Sequence, residues 1–248
     1  MKKTLRDLFT MITASNRRAV VRCTLIAMLV GVFVAGVIML SGAKATARRM
    51  QAYGRLCQMR AALQMYEDKH GTLPPLCLRD NLGIPIHSWR ALVLPFLGSE
   101  VSKLSKQMDL SQPWNSDSND RLIDSVPPGE WVWFAWDRSQ TRPDVSTHIL
   151  AYLGRESIWE ARTGLPKGKT TEHPDAILLI WIPKGNLHPL QPGDITEEEV
   201  RERVGKGEEV LFLAAGSSSS TGIVTIERDE LVFRTRQQVL DRREGRHR

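Results

Sequence analysis

The run from Cys23 to Ala43, "CTLIAMLVGVFVAGVIMLSGA", limits the possible folds more than any other feature: 21 consecutive residues carry no charge. As a helix rising about 1.5 Å per residue, it spans about 31 Å, the depth of a bilayer's hydrocarbon core. A cleaved export signal has a shorter apolar region, roughly 7–15 residues. Ala45-Thr46-Ala47 does match a small-residue cleavage pattern, so release after Ala47 is an alternative to an anchor. Length favours the anchor. Ala27, Gly31 and Ala35 lie at four-residue spacing along this run. Such a small-residue stripe lets two membrane helices pack, although Ala and Gly are also ordinary in such helices.

The flanks are basic. Residues 1–22 hold Lys2, Lys3, Arg6, Arg17, Arg18 and Arg22 against Asp7, a net of +5. On the other side stand Lys44, Arg48, Arg49, Arg55 and Arg60, so the positive-inside rule favours a cytoplasmic N-terminus by a small margin. The sequence pI of about 9.4 would otherwise suggest nucleic acid. However, residues 234–248 net +4, which leaves the body, 44–233, at −3. A domain without a basic face is not expected to bind nucleic acid. The Arg-rich tail reads as a solvated end, or as a contact for an acidic partner or lipid headgroups.

The helical pattern continues past the apolar run. Met50, Tyr53, Leu56, Met59, Leu63 and Tyr66 recur at spacings of three and four, forming one apolar stripe. No proline occurs before Pro74, and His70-Gly71 followed by Pro74-Pro75 supplies the stop. One helix from Cys23 to Lys69, roughly 70 Å long, is expected. Ser88–Leu97 reads as a short buried helix broken by Pro95, and "SQPWNSDSNDRL" as a polar loop around Trp114. Strands are expected at Trp131–Trp136, Thr147–Gly154, Ala176–Pro183, Glu209–Ala215, Gly222–Glu227 and Leu231–Thr235. Thr196-Glu197-Glu198-Glu199 is a capping box that opens a helix ending at Gly205. A long helix followed by hairpin-linked strands implies α+β with an antiparallel sheet.

Catalytic chemistry needs converging polar groups. His70, His87, His148, His173, His188 and His247 are scattered, with no metal-ligand or nucleophile spacing. Glu67 and Asp68 read as a solvated helix face, and "GSSSSTG" as a flexible loop. Cys57 and Cys77 are either a pair or two free thiols. No cofactor and no enzyme activity are expected. Asp117 and Asn119 offer two oxygens for Ca²⁺, a weak site at best. Trp89, Arg90 and Trp114 stand out. They either wedge helix against sheet, with Arg90 paired to a carboxylate or carbonyls, or form a surface for a partner.

Ordered motifs carry a resemblance. "ARRMQ" (47–51), "HGTLPP" (70–75), "HSWRALVLPFLG" (87–98) and "QPWNSDSNDRL" (112–122) are followed by "THILAYLG" (147–154), "DAILLIW" (175–181), "LHPLQPGDIT" (187–196) and "VLFLAAGS" (210–217). In this order they resemble a bacterial family, the domain of unknown function 1559, whose members look like type II secretion or type IV pilus pseudopilins. The chain departs from that pattern at Ala52, where the family has Cys, and at Ala215, where Asp is usual. "PGEWVWFAW" (128–136) lacks the family's Y-x-C-P. No glycine precedes Gly31 and the apolar run holds no acid, so the prepilin peptidase site and the assembly glutamate are missing.

The resemblance implies a pilin-like α+β fold, with a long N-terminal helix packed on an antiparallel sheet. Its parts would be a basic cytoplasmic segment (1–22), a transmembrane helix (23–43) and a helical continuation (44–70). An extracytoplasmic α+β domain (71–235) and the Arg-rich tail (236–248) would follow. It implies a single-pass protein of the bacterial inner membrane with a structural or interaction role in a secretion-type assembly. Its partners would be the membrane and other pilin-like subunits or itself. The alternative is a membrane-tethered module that binds a solute or polymer, for which an aromatic-lined pocket around Trp89, Trp114 or Trp159 would be the sign.

Overall fold

A computed structural model describes residues 2–125, 146–185, 187–216, 221–235, 237–239 and 241. The expected strand Trp131–Trp136 and most of "GSSSSTG" lie outside them. The chain divides into two compact units, Met1–Met50 and Gln51–Arg248.

Helix α1 runs from Lys2 to His70, beginning well before the expected Cys23. The residues that precede Gly31 include neither Gly nor Pro, so nothing there interrupts the hydrogen-bond ladder. Among the described side chains of the first unit the apolar ones are bare: Leu29, Val32, Phe33, Ile38, Met39 and Leu40 are each more than 60% exposed. Ser41 and Thr46 turn their hydroxyls back onto the Ile38 and Gly42 carbonyls, which satisfies them within the helix. From Met28 onward α1 is long and apolar enough to cross a membrane, and it is the one such helix among the described residues.

In the second unit the α1 stripe is buried: Tyr53, Leu56, Met59 and Leu63, with Ala52 and Ala62 beside them. Met50, expected on the stripe, is exposed. The helix ends as expected, with Gly71 at φ 81° donating its N–H to the Glu67 carbonyl. Next come a hairpin, β1 (Cys77–Arg79) and β2 (Pro85–Ser88), and the short helix α2 (Trp89–Val93), which runs into a 3-10 turn at Leu94–Phe96. Helices α3 (Ser99–Gln107) and α4 (Asp117–Ser125) follow. The polar loop expected around Trp114 is therefore partly helical. Asp117 and Asp120 sit in the first turn of α4, where carboxylates favour the helix dipole. Only Asn119 and Ile123 of α4 are buried, too few to make a stripe in the sequence.

The main sheet comprises β3 (Ile149–Leu153), β4 (Ile177–Trp181), β5 (Ile195–Thr196), β6 (Leu211–Ala214), β7 (Thr221–Glu227) and β8 (Glu230–Thr235), in the order β5-β3-β4-β6-β7-β8. Every pairing is antiparallel except β3 with β5. Helix α5 (Glu197–Gly205) starts from the Thr196–Glu199 capping box. Side chains alternate between two cores. Ile149, Ala151, Leu179, Trp181, Leu211 and Leu213 join the α1 stripe, while Leu150, Tyr152, Ile180, Phe212 and Val224 join Val200 of α5. Leu178 and Leu179 both fall on the α1 side because the β4–β6 register shifts between Ile177 and Leu179, as an inserted residue does. The β7–β8 turn takes positive φ at Arg228 and Asp229, the twist a two-residue hairpin demands. The fold is α+β, with a long apolar N-terminal helix and an antiparallel-rich sheet.

Candidate functional site

The sequence motifs converge on one buried node. Ser88, at the end of β2, caps α2 by accepting the Arg90 N–H, which starts the helix with Trp89 and Arg90 directed inward. Neither side chain is exposed. Arg90 and Asp194 form an ion pair, Nη1 to Oδ1 at 3.0 Å, with side chains 0% and 3% exposed. The same Oδ1 accepts the Trp89 indole N–H at 3.0 Å and the Ala151 backbone N–H at 2.8 Å. Arg90 spends its remaining donors on carbonyls: Nε on Pro189, Nη1 on Ile149, and Nη2 on Gln191 and Gly193. A guanidinium has five N–H groups, and all five are used.

Burial pushes the Asp194 carboxyl up and pulls Arg90 down, each resisted by the other's charge. The node is thus a lock: it fastens segment 187–194 to α2 and to β3. Arg90 also lies 5.3 Å from the Trp89 ring, whose face attracts the cation. Trp159 sits 6.4 Å from Trp89 and donates its indole N–H to the Pro74 carbonyl, tying in the segment after α1. Trp114 is half-buried and stacks on His188 at 4.7 Å, against the segment that Arg90 holds.

Asp194 was not singled out in the sequence, where it is one acid in "PGDIT" with no local sign of its partner. Glu67 corrects an expectation. It is 4% exposed rather than solvated, and accepts the Thr170 N–H at 3.0 Å and the Thr170 hydroxyl at 2.5 Å. An amphipathic pattern marks polar positions but not which of them a loop will cover.

Asn119 is fully buried. Its Oδ1 accepts the Asp109 N–H, and its Nδ2 donates to the Asp109 and Pro113 carbonyls, so the carboxamide closes the 109–113 loop. Asp117 is exposed at the start of α4. Among the described residues no three His, Cys, Asp or Glu side chains converge to hold a metal. Cys57 and Cys77 form no disulfide, and burial raises the pKa of both thiols. In the first unit Gly31 and Ala35 are exposed, and a Cβ on Gly31 would meet nothing within 4 Å. Ala27 has a helical backbone, and its side chain is outside the described set.

Among the described residues two histidines are buried. His148 donates from Nδ1 to the Ile182 carbonyl at 2.8 Å, leaving the buried Nε2 without a partner. His87 bonds the Gln112 carbonyl through Nε2 at 2.7 Å. Burial holds both below the usual imidazole range, and for His148 the charge of Arg55 adds to the effect. A cleft of about 550 Å³ opens beside Ser157, lined by Arg155, Glu156, Lys167, Glu172 and His173. It contains no tryptophan.

No curated protein and no solved structure matches this chain. Residues 41–173, more than half the chain, match a family described as a protein of unknown function, DUF1559. That span takes in the end of the apolar run, the α1 stripe, the Trp89–Arg90 pair and Trp114. A single apolar N-terminal helix in such a chain is compatible with a membrane-anchored protein. The chain belongs to the DUF1559 family.

Proposed function

We propose that this protein is a single-pass, pilin-like subunit of a bacterial inner membrane, with a structural or associative role in a secretion-type assembly. One observation carries the reading: an unbroken helix, Lys2–His70, holds bare apolar side chains from Leu25 to Leu40 and then buries Tyr53, Leu56, Met59 and Leu63 in the domain core. Lipid supplies the cover that the first stretch lacks. The N-terminus would be cytoplasmic and the α+β unit extracytoplasmic. Without the prepilin glycine and glutamate, the anchor stays unprocessed. A binding module needs a wet aromatic site, whereas Trp89 and Trp159 are fully buried with both indole N–H groups spent. The role is read as non-catalytic, since Arg90 and Asp194 satisfy each other inside the core.

Flotation with membranes after alkaline extraction, N-terminal sequencing of the extracted chain and protease protection test this reading. The expected result is an intact chain in the membrane fraction with the domain shielded from cytoplasmic protease. A soluble chain beginning at Arg48 would overturn the anchor. A domain cut by cytoplasmic protease would overturn the orientation.

A further inference from the structure

Among the described residues, the six-stranded sheet ends on β8, which pairs with β7. Glu227 and Glu230 flank the two-residue turn and so form its hydrogen-bonded closing pair. Alternation then aims the backbone groups of Glu230, Val232 and Arg234 at β7 and those of Leu231 and Phe233 outward. Val224 confirms the phase: its N–H donates away from β8, to the Val210 carbonyl, so its neighbours Ile223 and Thr225 face Arg234 and Val232. Among the described residues, nothing outside β7 bonds the N–H or C=O of Leu231 or Phe233, while the Thr235 N–H is taken by the Gln238 side chain. The strand has no Pro and no register shift to close the edge, and its two charges, Glu230 and Arg234, are of opposite sign.

We propose that β8 is the edge through which two copies of this chain join, antiparallel about a two-fold axis at Val232. This deepens the associative role above by naming a partner and a surface. Centring on Val232 sets Leu231 opposite Phe233 of the partner, twice, so all the free outward groups pair. It also sets Glu230 opposite Arg234, twice, in the closer non-hydrogen-bonded positions, where opposite charges stabilise. Centring on Phe233 instead requires the Thr235 N–H, which is already used, and centring on Leu231 leaves Arg234 without an acid opposite. The charges of the strand therefore complement themselves in one register, as a closed two-fold interface requires. Arg234 already pairs with Glu227 on β7, which holds its guanidinium on that face.

The test uses full-length chain in membranes, with Cys23, Cys57 and Cys77 changed to Ser. Val232→Cys places two thiols on residues about 4.5 Å apart between Cα atoms, within disulfide reach. Mild oxidation is expected to give a covalent dimer. Glu230→Cys alone should not link, but should link when mixed with Arg234→Cys. Glu230→Arg should weaken self-association about tenfold, and mixing it with Arg234→Glu chains should restore pairing. A Val232→Cys chain that links no better than the exposed Ser118→Cys would overturn the proposal, as would Glu230→Cys linking to itself. If the same chain still floats with membranes, the anchor stands while this interface falls.

Discussion

The Trp89 indole donates its N–H to Asp194 at 3.0 Å across 105 residues of chain, on the very oxygen that Arg90 also holds. The S-W-R and P-G-D motifs are therefore two halves of one buried lock.

Arg90→Met leaves Asp194 buried without its cation and should cost about 3–5 kcal/mol in denaturant unfolding. Arg90→Lys should recover little, because an ammonium has three donors for five acceptors. Replacing both partners, Arg90→Met with Asp194→Leu, should cost less than the sum of the single changes. An additive result would count against the lock.

Acid should loosen the domain. His148 and His87 are held below their ordinary value of 6.5, so on acidification the unfolded chain takes up protons first. Their stabilising contribution is complete above pH 6.5 and is lost as pH falls toward their folded values. The Tm should fall as pH drops through 6, and His148→Gln should flatten that slope. An unchanged slope in the variant would remove His148 as the cause.

Glu67→Ala strips two hydrogen bonds from buried Thr170 and should cost about 1–3 kcal/mol in thermal unfolding, with Glu67→Gln milder. Asp68→Ala, on the exposed neighbour, should stay within about 0.5 kcal/mol. Equal effects would mean that Glu67 does no more than its neighbour.

Millimolar Ca²⁺ should leave the Tm unchanged, since the Asn119 carboxamide is committed to Asp109 and Pro113. Asn119→Ala should lower it by releasing the 109–113 loop. A Ca²⁺-dependent rise lost in Asp117→Ala would place a cation there instead.

Much of the frame was legible because it follows from local rules. The α1 stripe, the Gly71 stop, the Thr196–Glu199 box and the strands of the main sheet other than the two-residue β5 depend on periodicity and on caps a few residues long. Helix α4 was not legible, since it buries only Asn119 and Ile123. The first turns of α1 were not either, for charge along Lys2–Arg22 marks a flank without saying whether it is helical.

By itself, then, the sequence determined where the apolar run begins and ends, that the helix continues beyond it, and which residues alternate into a sheet. These are matters of short-range spacing and of solvent preference. Tertiary structure alone decided that Arg90 meets Asp194, that Glu67 is covered by Thr170, and that among the described residues β8 pairs on one side only. Each joins residues far apart in the chain, and burial strengthens such contacts only after packing has removed the water.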